Sequence, residues 1–304
     1  MVNLAGLYPP IPTPFDDQER IALAKLEANL QRWVRQPLDG VVMPGSNSEA
    51  AFLTEAERLE VWQVCAPILR SAGKRFIAGT GAETTAETLA LTQRAAELGA
   101  VATLVLPPYF YKSALTHDAL VAHYQAVADA SPIPILLYNV PAFTGVDFAL
   151  ATFLTLAEHP QIVGVKDSSS NIVKMAELLA QRPDFQVFAG TGSALLPFLS
   201  IGAVGGIMGL ANVAAEELRD VVVAFEHNQR DVARQRQLGL AGLNSAVTAR
   251  FGVAGLKYAM DQSGLYGGPT RRPLLPLGAA ARAEIDRLLA AVRSTNGAKA
   301  GSQG

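Results

Sequence analysis

The chain has 304 residues, 50% hydrophobic and 17% charged, with a formal net charge of −2 at neutral pH. That balance describes a globular protein with a large core and gives no basic surface for nucleic acid. Cys65 is the sole cysteine, so neither a disulfide framework nor a thiolate metal site is expected, and His117, His123, His159 and His227 show no metal-ligand spacing.

Short apolar runs alternate with amphipathic stretches along most of the chain. The runs are Gly6–Ile11, Gly40–Met43, Phe76–Gly79, Ala102–Leu106, Ile133–Tyr138, Ile162–Lys166, Gln186–Gly190 and Gly205–Met208. Runs that are apolar throughout, without alternation, belong to parallel sheets buried on both faces. Between them the pattern predicts helices over Ala22–Val34, Glu55–Leu69, Thr84–Leu98, Thr116–Ala128, Asp147–Leu156, Asn171–Leu179, Ser193–Leu199 and Val213–His227. Thr54, Thr84 with Glu87 three residues on, and Asp147 read as caps. Eight strand–helix units in series predict an α/β protein, a (β/α)8 TIM barrel, over residues 1–228. A doubly wound open sheet is the competing arrangement. The stretch Phe76–Ala82 resembles Val187–Ser193, on the third and seventh strands, which suits two half-barrels.

After about residue 228 the strands stop. Arg230–Gly242, Ala246–Ser263 and Ala279–Val292 read as three helices of a C-terminal helical extension over 229–304, and Ser294–Gly304 as a frayed polar tail. The first residues carry no basic region with a long apolar stretch, and no run approaches the about 18 apolar residues that span a bilayer. A cytoplasmic protein without membrane association is expected.

In such a barrel the chemistry collects at the carboxyl ends of the strands. Lys166 closes the run Ile162–Lys166, where an ammonium loses hydration and desolvation favours the amine. A lysine so placed can attack a carbonyl and form a Schiff base. The other strand ends supply Gly45-Ser46-Asn47-Ser48-Glu49, the aromatic run Tyr109-Phe110-Tyr111, Tyr138-Asn139-Val140-Pro141 and Gly190-Thr191-Gly192-Ser193. Small residues that expose N–H groups suit a carboxylate, and a phenol beside a lysine can shuttle protons. Each has a plainer alternative: a turn and helix cap, rim packing for Tyr138, a subunit contact for Tyr109 and Tyr111.

On these motifs, with Val163-Gly164-Val165-Lys166-Asp167 and Ala211-Asn212-Val213, the sequence resembles the dihydrodipicolinate synthase / N-acetylneuraminate lyase family of Schiff-base lyases, from Leu7 to about Pro276. Within it, Ala246–Lys257 and Tyr266-Gly267-Gly268-Pro269 look most like 4-hydroxy-2-oxoglutarate aldolases. The resemblance implies that Lys166 forms an imine with a 2-oxo acid and that Tyr138 is the acid/base. It implies that Ser46 and Asn47 hold the 1-carboxylate, with Ser46 also linked to Tyr138. Gly190 and Ile207 would line the floor and Ser168 the distal end of the substrate. Three positions depart from the family pattern. Ser48 replaces a glycine. Phe110 stands where a tyrosine reaches a neighbouring subunit, with Tyr109 and Tyr111 as possible substitutes. Phe143 stands where the synthases carry an arginine for the aldehyde's carboxylate.

The expected activity is therefore an aldolase with pyruvate as the enzyme-bound half, needing no metal or other cofactor because the imine is the electron sink. A dehydratase of a 2-keto-3-deoxy sugar acid and a dihydrodipicolinate synthase-type condensation are the enzymatic alternatives. A 2-oxo-acid-binding barrel without turnover is the alternative of another class. A homotetramer is expected by family analogy.

Overall fold

The computed structural model describes residues 2–300, the side chains of 295–300 excepted. Its strands are β1 (Gly6–Tyr8), β2 (Gly40–Met43), β3 (Arg75–Gly79), β4 (Ala102–Val105), β5 (Ile135–Asn139), β6 (Ile162–Asp167), β7 (Gln186–Ala189) and β8 (Gly205–Ile207). All pair in parallel, in the order β1-β8-β7-β6-β5-β4-β3-β2. Just beyond β1, Val42 donates its N–H to Pro9 O (2.9 Å) and Ile11 donates to Val42 O (3.1 Å), which brings β1 against β2. The result is the (β/α)8 barrel that the eight apolar runs require.

Helices α1 (Leu23–Trp33), α2 (Glu55–Ser71), α3 (Thr85–Glu97), α4 (His117–Ala130), α5 (Pro141–Thr144), α6 (Leu150–Leu156), α7 (Ile172–Gln181), α8 (Leu195–Ser200) and α9 (Ala215–Glu226) alternate with the strands. Thr54 and Glu57 form a reciprocal capping box at α2, and Thr84 accepts from Glu87 N at α3. Asp147 is not a cap. Its carboxylate accepts from Asn139 Nδ2 (2.9 Å) and Lys174 Nζ (2.5 Å), and α6 begins three residues later behind Ala149. Tertiary partners outcompeted the local N–H groups.

Inside the barrel, Tyr8, Val42, Ile77, Leu104, Leu136, Tyr138, Phe188 and Ile207 form one apolar cluster. Tyr8 and Phe188 meet edge-to-face at 6.2 Å, and Arg75 donates to Tyr8 Oη at 2.7 Å, so the amino-terminal end of the barrel is filled. Full burial of each such ring contributes about 1.5–3 kcal/mol. Outward-facing strand residues such as Met43, Phe76, Leu137 and Val165 pack beneath the helices in a second, larger cluster.

The extension consists of α10 (Arg230–Ser245), α11 (Gly252–Asp261) and α12 (Ala279–Ala300). The single helix expected over Ala246–Ser263 is interrupted. A π-turn at Ala246–Arg250 is followed by Gly252 in the left-handed region (φ 55), which a glycine adopts without steric cost. The tail expected to fray from Ser294 continues α12 to Ala300, and residues 301–304 lie outside the described ones. Among the described residues no helix is long and apolar enough to cross a membrane.

Candidate active site

β5 and β6 run side by side with Tyr138 opposite Lys166 and Asn139 opposite Asp167. Tyr138 and Lys166 face inward. Lys166 is 2% exposed, and its Nζ lies 3.9 Å from the centroid of the Tyr138 ring. Burial, the largest influence on the Tyr138 phenol, pushes its pKa up. The Lys166 charge and hydrogen bonding from Ser46, Lys166 and Ser168 together outweigh it, leaving the phenol below its ordinary value. A phenol easier to ionise than usual beside an amine is suited to proton transfer.

Ser46, three residues past β2, places its Oγ 3.2 Å from Tyr138 Oη. It opens a short 3-10 turn, Ser46–Ser48, that Ser48 closes. The buried Ser48 Oγ accepts from Gly45 N (2.8 Å) and donates to Ile11 O (2.5 Å). Ser48 thus ties the loop to the chain beyond β1. Asn47 lies against Gly209 just past β8, where a Cβ would come within 3.1 Å of its amide. At Gly190 a Cβ would fall 2.1 Å from Ser168 Oγ, so a glycine is required for the β6 and β7 loops to meet. Ile207 is fully buried in the interior cluster.

The aromatic candidates lie farther out. Phe143 sits on the single turn α5, 71% exposed. Phe110 and Tyr111 are 72% and 75% exposed and stack edge-to-face at 5.0 Å. Tyr109 is half-buried, and the backbone N–H groups of Tyr109 and Phe110 are held by the Glu83 carboxylate. Within the single chain neither Tyr109 nor Tyr111 hydrogen-bonds to Tyr138.

The sequence reading assigned no role to the layer behind Lys166 and Tyr138. Asp167, fully buried, accepts from Asn139 Nδ2 (2.7 Å), Ser169 Oγ (2.8 Å) and Ser170 N (3.0 Å). Ser168 N donates to Asn139 O at 2.8 Å. This network curls the loop after β6 so that Ser168 stands at the rim. Its signal in the sequence was an amide and a carboxylate, directly following Tyr138 and Lys166 at the ends of apolar strands.

A parallel barrel with a desolvated lysine against a tyrosine at the carboxyl ends of neighbouring strands is the architecture of the Schiff-base, class I aldolase type of carbon–carbon lyase. The dihydrodipicolinate synthetase family model matches residues 3–292, and the chain belongs to that family. It is 35% identical to a 4-hydroxy-tetrahydrodipicolinate synthase from Exiguobacterium, covering 92% of this chain and 95% of that one. It is 34% identical to the protein of the same name from Methanococcoides burtonii, covering 94% and 96%. Among solved structures, dihydrodipicolinate synthase from Bacillus anthracis superposes with a TM-score of 0.91 at 26% identity, covering 95% of this chain and 99% of that one. The chloride-inhibited enzyme from Acinetobacter baumannii, complexed with pyruvate, gives 0.90 at 30% identity, covering 95% and 99%.

Proposed function

We propose that Lys166 forms an imine with pyruvate and that the protein makes or breaks a carbon–carbon bond at the pyruvate methyl carbon. The observation that carries this reading is the desolvated Lys166 amine 3.9 Å from the Tyr138 ring, with Ser46 Oγ on the phenol. The amine attacks the keto carbon, and Tyr138 delivers the proton that lets the former keto oxygen leave as water. In the cleaving direction the protonated imine accepts the electron pair of the breaking bond and becomes an enamine. In the condensing direction the same enamine forms when the methyl carbon of the pyruvate imine gives up a proton, and its electron pair then attacks an aldehyde. Ser46 and Asn47 receive the 1-carboxylate through the Ser46 hydroxyl and loop N–H groups. Ser168, at the rim, faces the distal end, and the Gly190 and Ile207 positions form the floor. The exposed Phe110–Tyr111 pair is a contact for a second copy in a homotetramer.

Borohydride plus pyruvate should add one pyruvate-derived mass to Lys166 and inactivate the protein, and Lys166→Ala should remove both effects with the fold intact. A label on Lys112 or Lys174 instead would refute the assignment.

Two partners for the pyruvate half each have support. The names of the relatives favour a dihydrodipicolinate synthase-type condensation with L-aspartate 4-semialdehyde. Phe143 favours cleavage of a 4-hydroxy-2-oxo acid, because an apolar ring cannot replace an arginine on the semialdehyde's carboxylate. Where that acid is 4-hydroxy-2-oxoglutarate, its own distal carboxylate must be received by Ser168, Ser169 or a loop arginine. Loss of one charge-assisted pair costs about 1.5–3 kcal/mol, or about 10–150-fold in binding. Steady-state kinetics with both substrates decide the matter: a kcat/KM for the semialdehyde at or above that for 4-hydroxy-2-oxoglutarate selects the synthase.

A further inference from the structure

The loop that carries Ser46 and Asn47 ends on an unusual residue. Glu49 adopts the left-handed backbone conformation (φ 58, ψ 37), which is uncommon for a side-chain-bearing residue, and it is buried. Its carboxylate meets Lys257 Nζ, on α11 of the C-terminal extension, at 2.6 Å, with both side chains 1% exposed. The second carboxylate oxygen accepts the N–H of Arg271 at 2.8 Å. Lys257 Nζ also donates to Pro269 O at 2.7 Å and stands 4.5 Å from the centroid of the buried Phe15 ring. The Arg271 guanidinium also lies over the same ring at 4.3 Å, donates to Phe52 O (2.6 Å) and pairs with Glu57 (2.5 Å) at the start of α2. The segment that follows the active-site turn is therefore gripped by α11 and by the chain after it.

Such a grip has a cost that stability alone does not explain. Two charges taken out of water gain little over a well-packed apolar pair of the same size, whereas a single one left without its partner is strongly unfavourable. What the pair supplies is direction. Glu49 must point inward to Lys257, and this fixes the backbone of the turn whose Ser46 hydroxyl meets Tyr138 inside the barrel.

We propose that the buried Glu49–Lys257 pair, with the Arg271 amide, is a positioning device that sets Ser46 and Asn47 for the substrate carboxylate, making the C-terminal extension a working part of the site. The proposal rests on the carboxylate role given to that loop above. Its signature is selective. Loosening the turn weakens recognition of the carboxylate while leaving the Lys166 amine able to react with a carbonyl.

The test compares borohydride trapping of pyruvate with that of methyl pyruvate, which has the same keto group and no carboxylate. Two variants are used. Glu49→Gln/Lys257→Met removes both charges together, so no unpaired charge is buried. Glu49→Asp keeps both charges but withdraws the carboxylate by one methylene. In the double variant the half-saturating pyruvate concentration is expected to rise about tenfold or more relative to that for the ester, as for loss of a charge-assisted hydrogen bond. A smaller change in the same direction is expected for Glu49→Asp. An unchanged preference for pyruvate over its ester in the folded double variant overturns the proposal; should that variant not fold, an unchanged preference in Glu49→Asp does so. A parent protein that traps no pyruvate refutes the imine reading itself, a result distinct from either.

Discussion

Replacing Tyr138 with phenylalanine separates chemistry from architecture at this site. The ring is 5% exposed, with Lys166 Nζ 3.9 Å from its centroid, and the variant's ring should keep that place. What disappears is one hydroxyl, in contact with Ser46 Oγ at 3.2 Å. A neutral hydrogen bond of that kind contributes about 1 kcal/mol to stability. Positioned proton transfer contributes about 10²–10⁴-fold in rate, which is about 2.7–5.5 kcal/mol of barrier. The loss of turnover should therefore exceed what loss of folding alone can produce. Pyruvate release coupled to lactate dehydrogenase measures turnover, borohydride trapping reports imine formation, and urea unfolding reports stability. Turnover should fall about 10²–10⁴-fold while trapping persists more weakly and the unfolding free energy drops by about 1 kcal/mol. Turnover within about twofold of the parent would show that another group carries the proton.

Lys166→Met should raise the pH at which the Tyr138 phenolate absorbance appears, because burial pushes the phenol up and the Lys166 charge is the foremost influence opposing it; an unchanged titration would mean that the lysine does not tune the phenol. Burial lowers the His123 pKa to about 4 from 6.5, so above pH 6.5 the residue is neutral in both folded and unfolded chains and has no effect. As pH falls towards 4 the unfolded chain binds the proton first, and over that 2.5-unit span (6.5 minus 4) stability should fall by about 3 kcal/mol more in the parent than in His123→Gln. Equal losses in urea unfolding at neutral and acid pH would contradict this.

The barrel was legible because each strand is buried on both faces and therefore reads as an unbroken apolar run, whatever its neighbours. Element ends were less legible, since they depend on partners brought in by the fold. Asp147 is followed by an apolar stretch and reads as a cap, but Asn139 and Lys174 claim its carboxylate. Lys166 stood out as a charge closing an apolar run. Glu49 and Lys257 did not: one lay in a polar turn, the other in an amphipathic stretch far along the chain, and each alone looks like a solvated residue. Their pairing at 1% exposure arises from packing that no local pattern encodes.

The juxtaposition of Lys166 and Tyr138 also depends on a feature hidden within an apolar run. From Ile135 opposite Ile162 the ladder steps to Leu136 opposite Gly164, so β6 carries one residue, Val163, more than β5 over this stretch. Without that bulge Tyr138 would face Val165. Consistent with the shift, Val163 belongs to the interior cluster while Val165 packs outward beneath the helices, although an uninterrupted strand would put both on one face. Gly164 makes the arrangement possible: a Cβ there would lie 2.2 Å from Gln186 O on β7. The extra residue brings Lys166 inward against the phenol and Asp167 into register with Asn139. One irregularity in the ladder thus sets both the Lys166–Tyr138 pair and the hydrogen-bonded pair behind it, as bulges beside active sites commonly re-aim a side chain.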